Sequence, residues 1–433
     1  MPWPSFLRIS WGWLDCGCAG RQSWTSITAR STGQKTSQRP GELMRILIVL
    51  TYYEPYKSGL TVYAVRQAEA LAARGHRVTI LTSQFERNLP LETWKNGIRI
   101  IRVPVAFRLS KGVVMPKFSG TARRLLREAD LVNLHVPQAD AALVVWQAKK
   151  LHLPIVLTYH CTVEMPMGLI SRLAGWAVGW SSRISANQAD VVVHNTMDFA
   201  EHSSFLKRYM DKFKVVPPPI EVSPVSEKDI SDFRERHAIL PSQRVIGMAA
   251  RLTAEKGVEY LVDAMPKILA KIPEARVLFA GEYENVPGEA AYRDRILPRV
   301  EQLGAQWTFL GRVSDDDLAA FYHACDVLVL PSVNTTESFG MVQVEGMVCG
   351  TPVVATDLPG VRQPVLTTGL GKIVPVRDAA ALAEAIISIL EDDRPFAPDQ
   401  IAALAFTYSP ETVAAAYEAI YEGLLEQHGQ SRT

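Results

Sequence analysis

The apolar positions of this chain gather into short β-branched runs separated by stretches with helical spacing. The run RILIVLT at Arg45–Thr51 is followed by a loop, then an amphipathic stretch at Thr61–Arg74 that Gly75 stops, and then a second run, RVTILTS, at Arg77–Ser83. Strand, helix and strand in that order form a βαβ unit. Runs at Leu131–His135, Ile155–His160 and Val191–Asn195 continue the rhythm. Continuous apolar runs of this length belong to a parallel sheet covered on both faces. The prolines Pro217, Pro218, Pro219 and Pro224, with the polar stretch to Ser242, interrupt it and read as a hinge. The rhythm then restarts at Val245–Ala250, Arg276–Ala280, Trp307–Leu310, Val327–Leu330, Val353–Thr356 and Lys372–Val376.

This pattern predicts an α/β chain with two Rossmann-like, doubly wound parallel sheets facing each other across a hinge. Ligands of such sheets lie beyond the carboxyl ends of the strands, so the cleft between the sheets is the expected binding site. The expected division is 44–218 for the first domain, 219–242 for the linker, 243–408 for the second domain and 409–433 for a last helical stretch after Pro410. Residues 1–43 follow neither period; they hold four of the nine tryptophans, with five basic residues against two acidic ones. They lack the order of regions of a signal peptide and read as a tail, with Met44 as the native start.

Composition narrows the function. Of 433 residues, 48% are apolar and 21% charged, which suits folded domains with large cores. Lys+Arg 46 against Asp+Glu 45 leaves a formal charge of +1, with no global field to draw in nucleic acid. Five scattered cysteines neither make a disulfide scaffold nor a zinc cluster, so a reducing compartment, the cytoplasm, is expected and no metal site is predicted. No apolar run is long enough to span a bilayer. An NAD-linked oxidoreductase is disfavoured, because YYEPYKSG stands after the first strand in place of a G-x-G-x-x-G turn.

The chemistry concentrates in Leu330–Thr356, LPSVNTTESFGMVQVEGMVCGTPVVAT, where a strand runs into a polar loop, a helix starts near Gly340 and a second strand follows. Glu337 lies before the helix and Glu345 on it, about 12 Å apart if the whole stretch were helical. Carboxyls at that spacing do not flank one glycosidic bond in the manner of a retaining hydrolase, which needs roughly 5 to 5.5 Å. They suit a ligand with two sugar rings separated by a diphosphate. Between them, the N–H groups of Phe339, Gly340 and Met341 at the helix N-terminus can take phosphate oxygens. Arg251 and Lys256, in ARLTAEKG after the first strand of the second domain, can stabilise the charge of a departing diphosphate.

These residues resemble the signature of the retaining glycosyltransferases of family 4, whose fold is the two-Rossmann GT-B. Glu337, Glu345, Gly350, Thr351 and Pro352 reproduce its Glu-x7-Glu element and following turn. The resemblance covers about Met44 to Glu426 and implies transfer of a hexosyl unit from a nucleotide-diphosphate sugar, without metal or other cofactor. It implies that the first domain binds the acceptor and the second the donor, and that the last helix crosses back to the first domain. It further implies that Glu337 contacts the transferred sugar, that Glu345 hydrogen-bonds the nucleotide ribose and that Arg251 and Lys256 hold the diphosphate. His160, at the end of PIVLTYH, resembles the family histidine near the donor sugar, where it would hydrogen-bond that sugar or help relay the acceptor proton, and His135 shapes the acceptor side. Gly59, before the first helix, is a donor-phosphate candidate where the family often has two glycines and this chain has Ser58-Gly59. Arg312 and Val313 are candidates for the base site.

Two competing classes keep the same fold: a nucleotide-sugar epimerase and a non-catalytic sensor. The Glu-x7-Glu element together with Arg251, Lys256 and His160 argues against both. Finally, Arg108, Lys111, Lys117, Arg123, Arg124 and Arg127 form an acid-free basic stretch, and Met165–Arg183 mixes Trp176 and Trp180 with aliphatics. Together they fit a patch that brings the chain to the inner face of an anionic membrane and a lipid-linked acceptor.

Overall fold

A computed structural model describes residues 43–109, 112–162, 169–392 and 396–430. Residues 1–42 of the expected tail, Lys111 and residues 165–168 of the tryptophan-bearing stretch lie outside the described residues.

The first half of the chain runs β1 (Arg45–Val49), α1 (Gly59–Ala73), β2 (Arg77–Gln84), β3 (Glu92–Lys95) and β4 (Ile98–Pro104). A separate hairpin, β5 (Phe107–Leu109) with β6 (Gly112–Val114), follows. Then come α2 (Phe118–Glu128), β7 (Leu131–Val136), α3 (Ala141–Lys150), β8 (Ile155–Tyr159), α4 (Leu169–Gln188), β9 (Val191–His194), α5 (Met197–His202) and β10 (Phe213–Val215). Eight strands form one sheet in the order β10-β9-β8-β7-β1-β2-β4-β3, parallel except for β3 against β4. Alternation along β1 divides two cores. Leu47 and Val49 pack towards α2 and α3, while Ile46 and Ile48 pack towards α1 and the last helix of the chain.

The second half runs α6 (Glu227–Arg236), β11 (Arg244–Ala249), α7 (Val258–Lys271), β12 (Ala275–Ala280), α8 (Ala290–Glu301), β13 (Trp307–Gly311), α9 (Asp315–Ala324) and β14 (Val327–Leu330). It continues with α10 (Met341–Val348), β15 (Val353–Thr356), α11 (Gln363–Thr368), β16 (Gly371–Val374), α12 (Ala379–Leu390), α13 (Pro398–Tyr408) and α14 (Pro410–Gln430). Its six parallel strands are ordered β13-β12-β11-β14-β15-β16, so the winding reverses between β11 and β14. That reversal opens a crevice at the carboxyl ends of those two strands.

The predicted strands are all present, within one or two residues at their ends. β3, β4, β10 and the hairpin were not predicted; in β4, Arg99 and Arg102 interrupt the apolar run. Arg102 is nevertheless buried, its guanidinium donating to Thr93 Oγ1 at 2.6 Å and to the Glu54 carbonyl at 3.1 Å. The first helix starts at Gly59 rather than Thr61, since Ser58 is its cap and its hydroxyl accepts from the Thr61 N–H at 3.2 Å.

α14 packs on α1 through a buried polar layer. The hydroxyl of Tyr417 lies 2.8 Å from that of Tyr63 and 3.0 Å from Thr158 Oγ1. Asn133 Nδ2 donates to the Tyr421 hydroxyl at 2.8 Å, and His76 Nε2 lies 2.9 Å from Glu418 Oε1. No helix among the described residues is long and apolar enough to cross a membrane.

Candidate active site

Two loops at the reversal point of the second sheet bring the singled-out residues together. The loop after β11 carries Arg251 and Lys256 and ends at Gly257, whose φ is +64°. A Cβ there would sit 2.2 Å from the Pro331 carbonyl oxygen, so only glycine lets this loop close on the loop after β14. The Val333 N–H then donates to the Glu255 carbonyl at 3.0 Å. The consequence is a direct ion pair between Lys256 Nζ and Glu337 Oε2, two residues 81 positions apart in sequence. Arg251, half-buried on the same loop, makes no ion pair among the described residues.

Glu337 is followed by the start of α10. Gly340 caps this helix with φ +77°, and a Cβ there would meet Leu330 Cδ2 at 2.3 Å. The N–H groups of Phe339, Gly340 and Met341 donate to no acceptor among the described residues, while the Phe339 ring is buried in the second-half core. Unpaired N–H groups at a helix N-terminus are placed to donate to an anion if one binds there.

Glu345 lies one turn further along α10 and is only 6% exposed. Its carboxylate is already held at both oxygens: Oε1 accepts from Arg66 Nη1 at 2.9 Å, and Oε2 from the Tyr322 hydroxyl at 2.7 Å. Burial first, and then the Glu345 charge, push the Tyr322 phenol well above its ordinary pKa, so it acts as a donor. Arg66 comes from α1 in the first half. It was not among the predicted residues, because no periodicity links position 66 to a partner 279 residues away.

The first sheet contributes His160 at the end of β8. Its carbonyl accepts from Ser338 Oγ, the neighbour of Glu337, so the two halves meet at the site. Its Nε2 is 2.9 Å from His135 Nδ1, with the rings stacked at 5.0 Å and Tyr63 edge-on to both. Burial, together with the neighbouring His135 and His194, drives the His160 pKa far down, and burial pushes His135 down to about 3, so both rings are neutral. His135, expected to shape the acceptor side, is fully buried behind His160, so it can act there only through that ring. The reason is register: position 135 on β7 pairs with Thr158 on β8, and both strands are covered on each face.

Gly59 is exposed at the start of α1, with space of 3.7 Å between a Cβ there and Met341 Cε. Its φ lies outside the left-handed region, so what it offers is proximity to α10 rather than relief of strain. Arg312, exposed, lies 3.3 Å from Glu282, and Val313 packs against the second-half core. Two further ion pairs bridge the halves around the site. Asp198 accepts from Arg362 at 2.6 and 2.9 Å and from the Gly360 N–H at 2.8 Å. Lys57 lies 2.7 Å from Asp315. Burial alone would raise the Asp198 pKa; the Arg362 and Gly360 donors outweigh it and hold the carboxyl below its ordinary range. No group of three or more His, Cys, Asp or Glu side chains among the described residues could hold a metal ion.

The basic and aromatic residues form a separate surface on the other face of the first sheet, where α3 packs between α2 and α4. Arg123, Arg124 and Arg127 are exposed on α2, with Lys117 at its start, and Arg108 on β5 donates to the Phe85 carbonyl at 2.5 Å. Trp176 and Trp180 are 69% and 57% exposed and stack on each other. Trp146 on α3, which was not singled out from sequence, is also 57% exposed, with Lys150 Nζ 3.5 Å above its ring.

Comparison with known proteins agrees with this architecture. Residues 229–403 match the family model described as glycosyl transferases group 1, and residues 58–219 match the glycosyl transferase 4-like domain. The phosphatidyl-myo-inositol mannosyltransferase of Mycolicibacterium smegmatis is 26% identical over 352 residues, covering 81% of this chain and 86% of the relative. The D-inositol 3-phosphate glycosyltransferase of Xylanimonas cellulosilytica is 29% identical over 370 residues, covering 77% and 84%. Among solved structures, sucrose-phosphate synthase from Thermosynechococcus elongatus superimposes with a TM-score of 0.68 at 24% identity, covering 88% of this chain and 99% of that one. The Anabaena protein HepE in complex with UDP gives 0.69 at 20% identity, covering 88% and 100%.

Proposed function

Because the chain belongs to the group 1 glycosyltransferases and has their GT-B fold, we propose that it is a retaining, metal-independent hexosyltransferase. Its donor is a nucleotide-diphosphate sugar. The observation that carries this reading is the Lys256–Glu337 ion pair beside the unpaired N–H groups that open α10. A diphosphate placed there meets Lys256, Arg251 and the N–H groups of Phe339, Gly340 and Met341. Each stabilises negative charge that grows as the sugar–phosphate bond breaks, so the contribution is largest in the transition state. Glu337 then faces the sugar, and Glu345, deeper along α10, accepts from the ribose hydroxyls.

The acceptor oxygen attacks the anomeric carbon on the face from which the diphosphate departs. The C1–O bond to phosphate breaks, the new C1–O bond forms, and the acceptor proton passes to the departing phosphate oxygen. His160 is neutral and buried, so its role is to hydrogen-bond and shape the sugar pocket rather than to supply a proton. Closure of the two halves excludes water that would hydrolyse the donor.

The two named relatives are a phosphatidyl-myo-inositol mannosyltransferase and a D-inositol 3-phosphate glycosyltransferase. Their names share an inositol ring, which puts inositol-containing acceptors, lipid-linked or free, first among those to test. The α2–α4 surface favours the lipid-linked form. Exposed tryptophans flanked by arginine and lysine suit the headgroup layer of an anionic bilayer at the cytoplasmic face.

The first test is a thermal-shift panel of UDP, GDP and ADP with their common sugar conjugates. Stabilisation selective for one nucleotide, and lost in Glu345→Ala and Arg251→Ala, is expected. No shift with any of them at millimolar concentration, on folded protein, would sink the transferase reading. Lys256→Ala is expected to lower kcat about 10²–10³-fold, the loss typical of removing one preorganised stabiliser of developing charge. Flotation with phosphatidylglycerol vesicles tests the surface: the chain should float, and the Trp146→Ser, Trp176→Ser, Trp180→Ser triple variant should stay at the bottom of the gradient.

A further inference from the structure

Arg66 holds three separate segments at once. From α1 its Nη1 donates to Glu345 Oε1 at 2.9 Å and to the Pro219 carbonyl at 3.2 Å, and its Nη2 donates to the Glu221 carbonyl at 2.7 Å. The guanidinium therefore joins the first half, the linker between the halves and the signature helix of the second half. Its side chain is 16% exposed and that of Glu345 8%.

The chemistry of a buried carboxylate makes this contact consequential. Without a donor on each oxygen at this depth, a carboxylate loses its partners and its fixed orientation. With Arg66 on Oε1 and Tyr322 on Oε2, each oxygen keeps a further lone pair, and the plane of the carboxylate is fixed. Because Arg66 is also tied to the linker carbonyls, this orientation depends on the two halves being together.

We infer that Arg66 is a positioning residue for the donor: it holds the Glu345 carboxylate aimed at the 2′,3′-diol of the nucleotide. The inference rests on the reading of Glu345 as the ribose acceptor. It predicts a particular loss. Removing Arg66 should abolish discrimination between a ribonucleotide and its 2′,3′-dideoxy analogue, while leaving the diphosphate contacts intact.

Calorimetric titration of UDP, GDP and ADP, each against its 2′,3′-dideoxy form, measures this directly on the full chain. For whichever nucleotide binds, the wild-type protein should prefer the ribo form by about 10-fold or more, the scale of hydrogen bonds to a charged group. In Arg66→Met, which keeps side-chain volume, that ratio should fall to about 1, while dideoxy affinity changes by less than about 3-fold. Arg66→Lys retains a charge but cannot reach carboxylate and carbonyls together, so an intermediate ratio is expected. If the Met variant fails to fold by circular dichroism, the Lys variant decides alone: an unchanged ratio overturns the inference. A wild-type ratio near 1, or a ratio retained in Glu345→Ala, overturns the ribose reading of Glu345 first, and the inference with it. A normal ratio in Arg66→Met, lost in Glu345→Ala, overturns only the role of Arg66.

Discussion

The two halves of this molecule are joined in two places that differ in kind. Where α14 lies on α1, the contact is a fully buried layer of tyrosines, with Tyr63, Tyr417 and Tyr421 exchanging hydrogen bonds with Thr158 and Asn133. Around the cleft, the halves meet through charge pairs, Arg66–Glu345, Asp198–Arg362 and Lys57–Asp315, and through the Ser338–His160 hydrogen bond. A layer of packed aromatics is lost only by unfolding, whereas a few ion pairs can part in solution and re-form. The difference assigns permanence to the α14 contact and movement to the cleft, which is what entry of a donor and exit of a nucleotide require.

Cutting into the permanent contact should have the largest effect. Tyr421→Ala removes a fully buried ring and leaves the Asn133 amide without its partner, so it is expected to lower unfolding free energy by about 3–5 kcal/mol. Urea denaturation measures it, and a loss under about 1 kcal/mol would erase the contrast between the two contacts.

Acid sharpens the same contrast from inside the first half. Burial depresses the pKa of His135 to about 3 and that of His194 to about 4, and that of His160 as well. In the unfolded chain these rings take up protons near pH 6.5. Between there and the depressed native values the unfolded state holds more protons. Stability should therefore fall as pH drops below about 6.5, by up to about 1.4 kcal/mol per pH unit for each ring. His135→Gln should flatten the slope measured by urea titration at pH 7, 6 and 5, and an unchanged slope would contradict a buried neutral ring.

At the cleft the expected effects are smaller. Asp198→Ala removes three hydrogen bonds to a charged group but opens a contact that solvent can reach, so a loss of about 1.5–3 kcal/mol is expected. Its signature is local. Hydrogen exchange at the Gly360 amide, which Asp198 now accepts, should accelerate while the α14 amides stay protected. Equal acceleration in both places would mean that the halves do not separate independently. Lys57→Ala breaks a pair whose side chains are 53% and 75% exposed, and should change stability by less than about 0.5 kcal/mol.

Much of the site was legible in the chain because its members are local. Glu337, Gly340 and Glu345 fall within one strand–loop–helix segment, and the apolar β14 and β15 on either side fix where that segment must lie. Arg251 and Lys256 follow β11 for the same reason. Arg66 gave no such signal: on α1 it is one charged residue beside buried Tyr63 and Gln67, and nothing near it in sequence names a partner. His135 was legible only as a strand end, because a histidine ending an apolar strand looks the same whether it faces a cleft or, as here, the back of another ring.

The sequence by itself determined the two parallel sheets and the residue types delivered to the carboxyl ends of their strands, because continuous apolar runs and helical spacing act over a few residues. Only the tertiary structure decided which charges meet: Lys256 with Glu337, Arg66 with Glu345, Asp198 with Arg362. Those partners are up to 279 residues apart, and ion pairing at such separations depends on how two independently formed sheets come together rather than on any pattern along the chain.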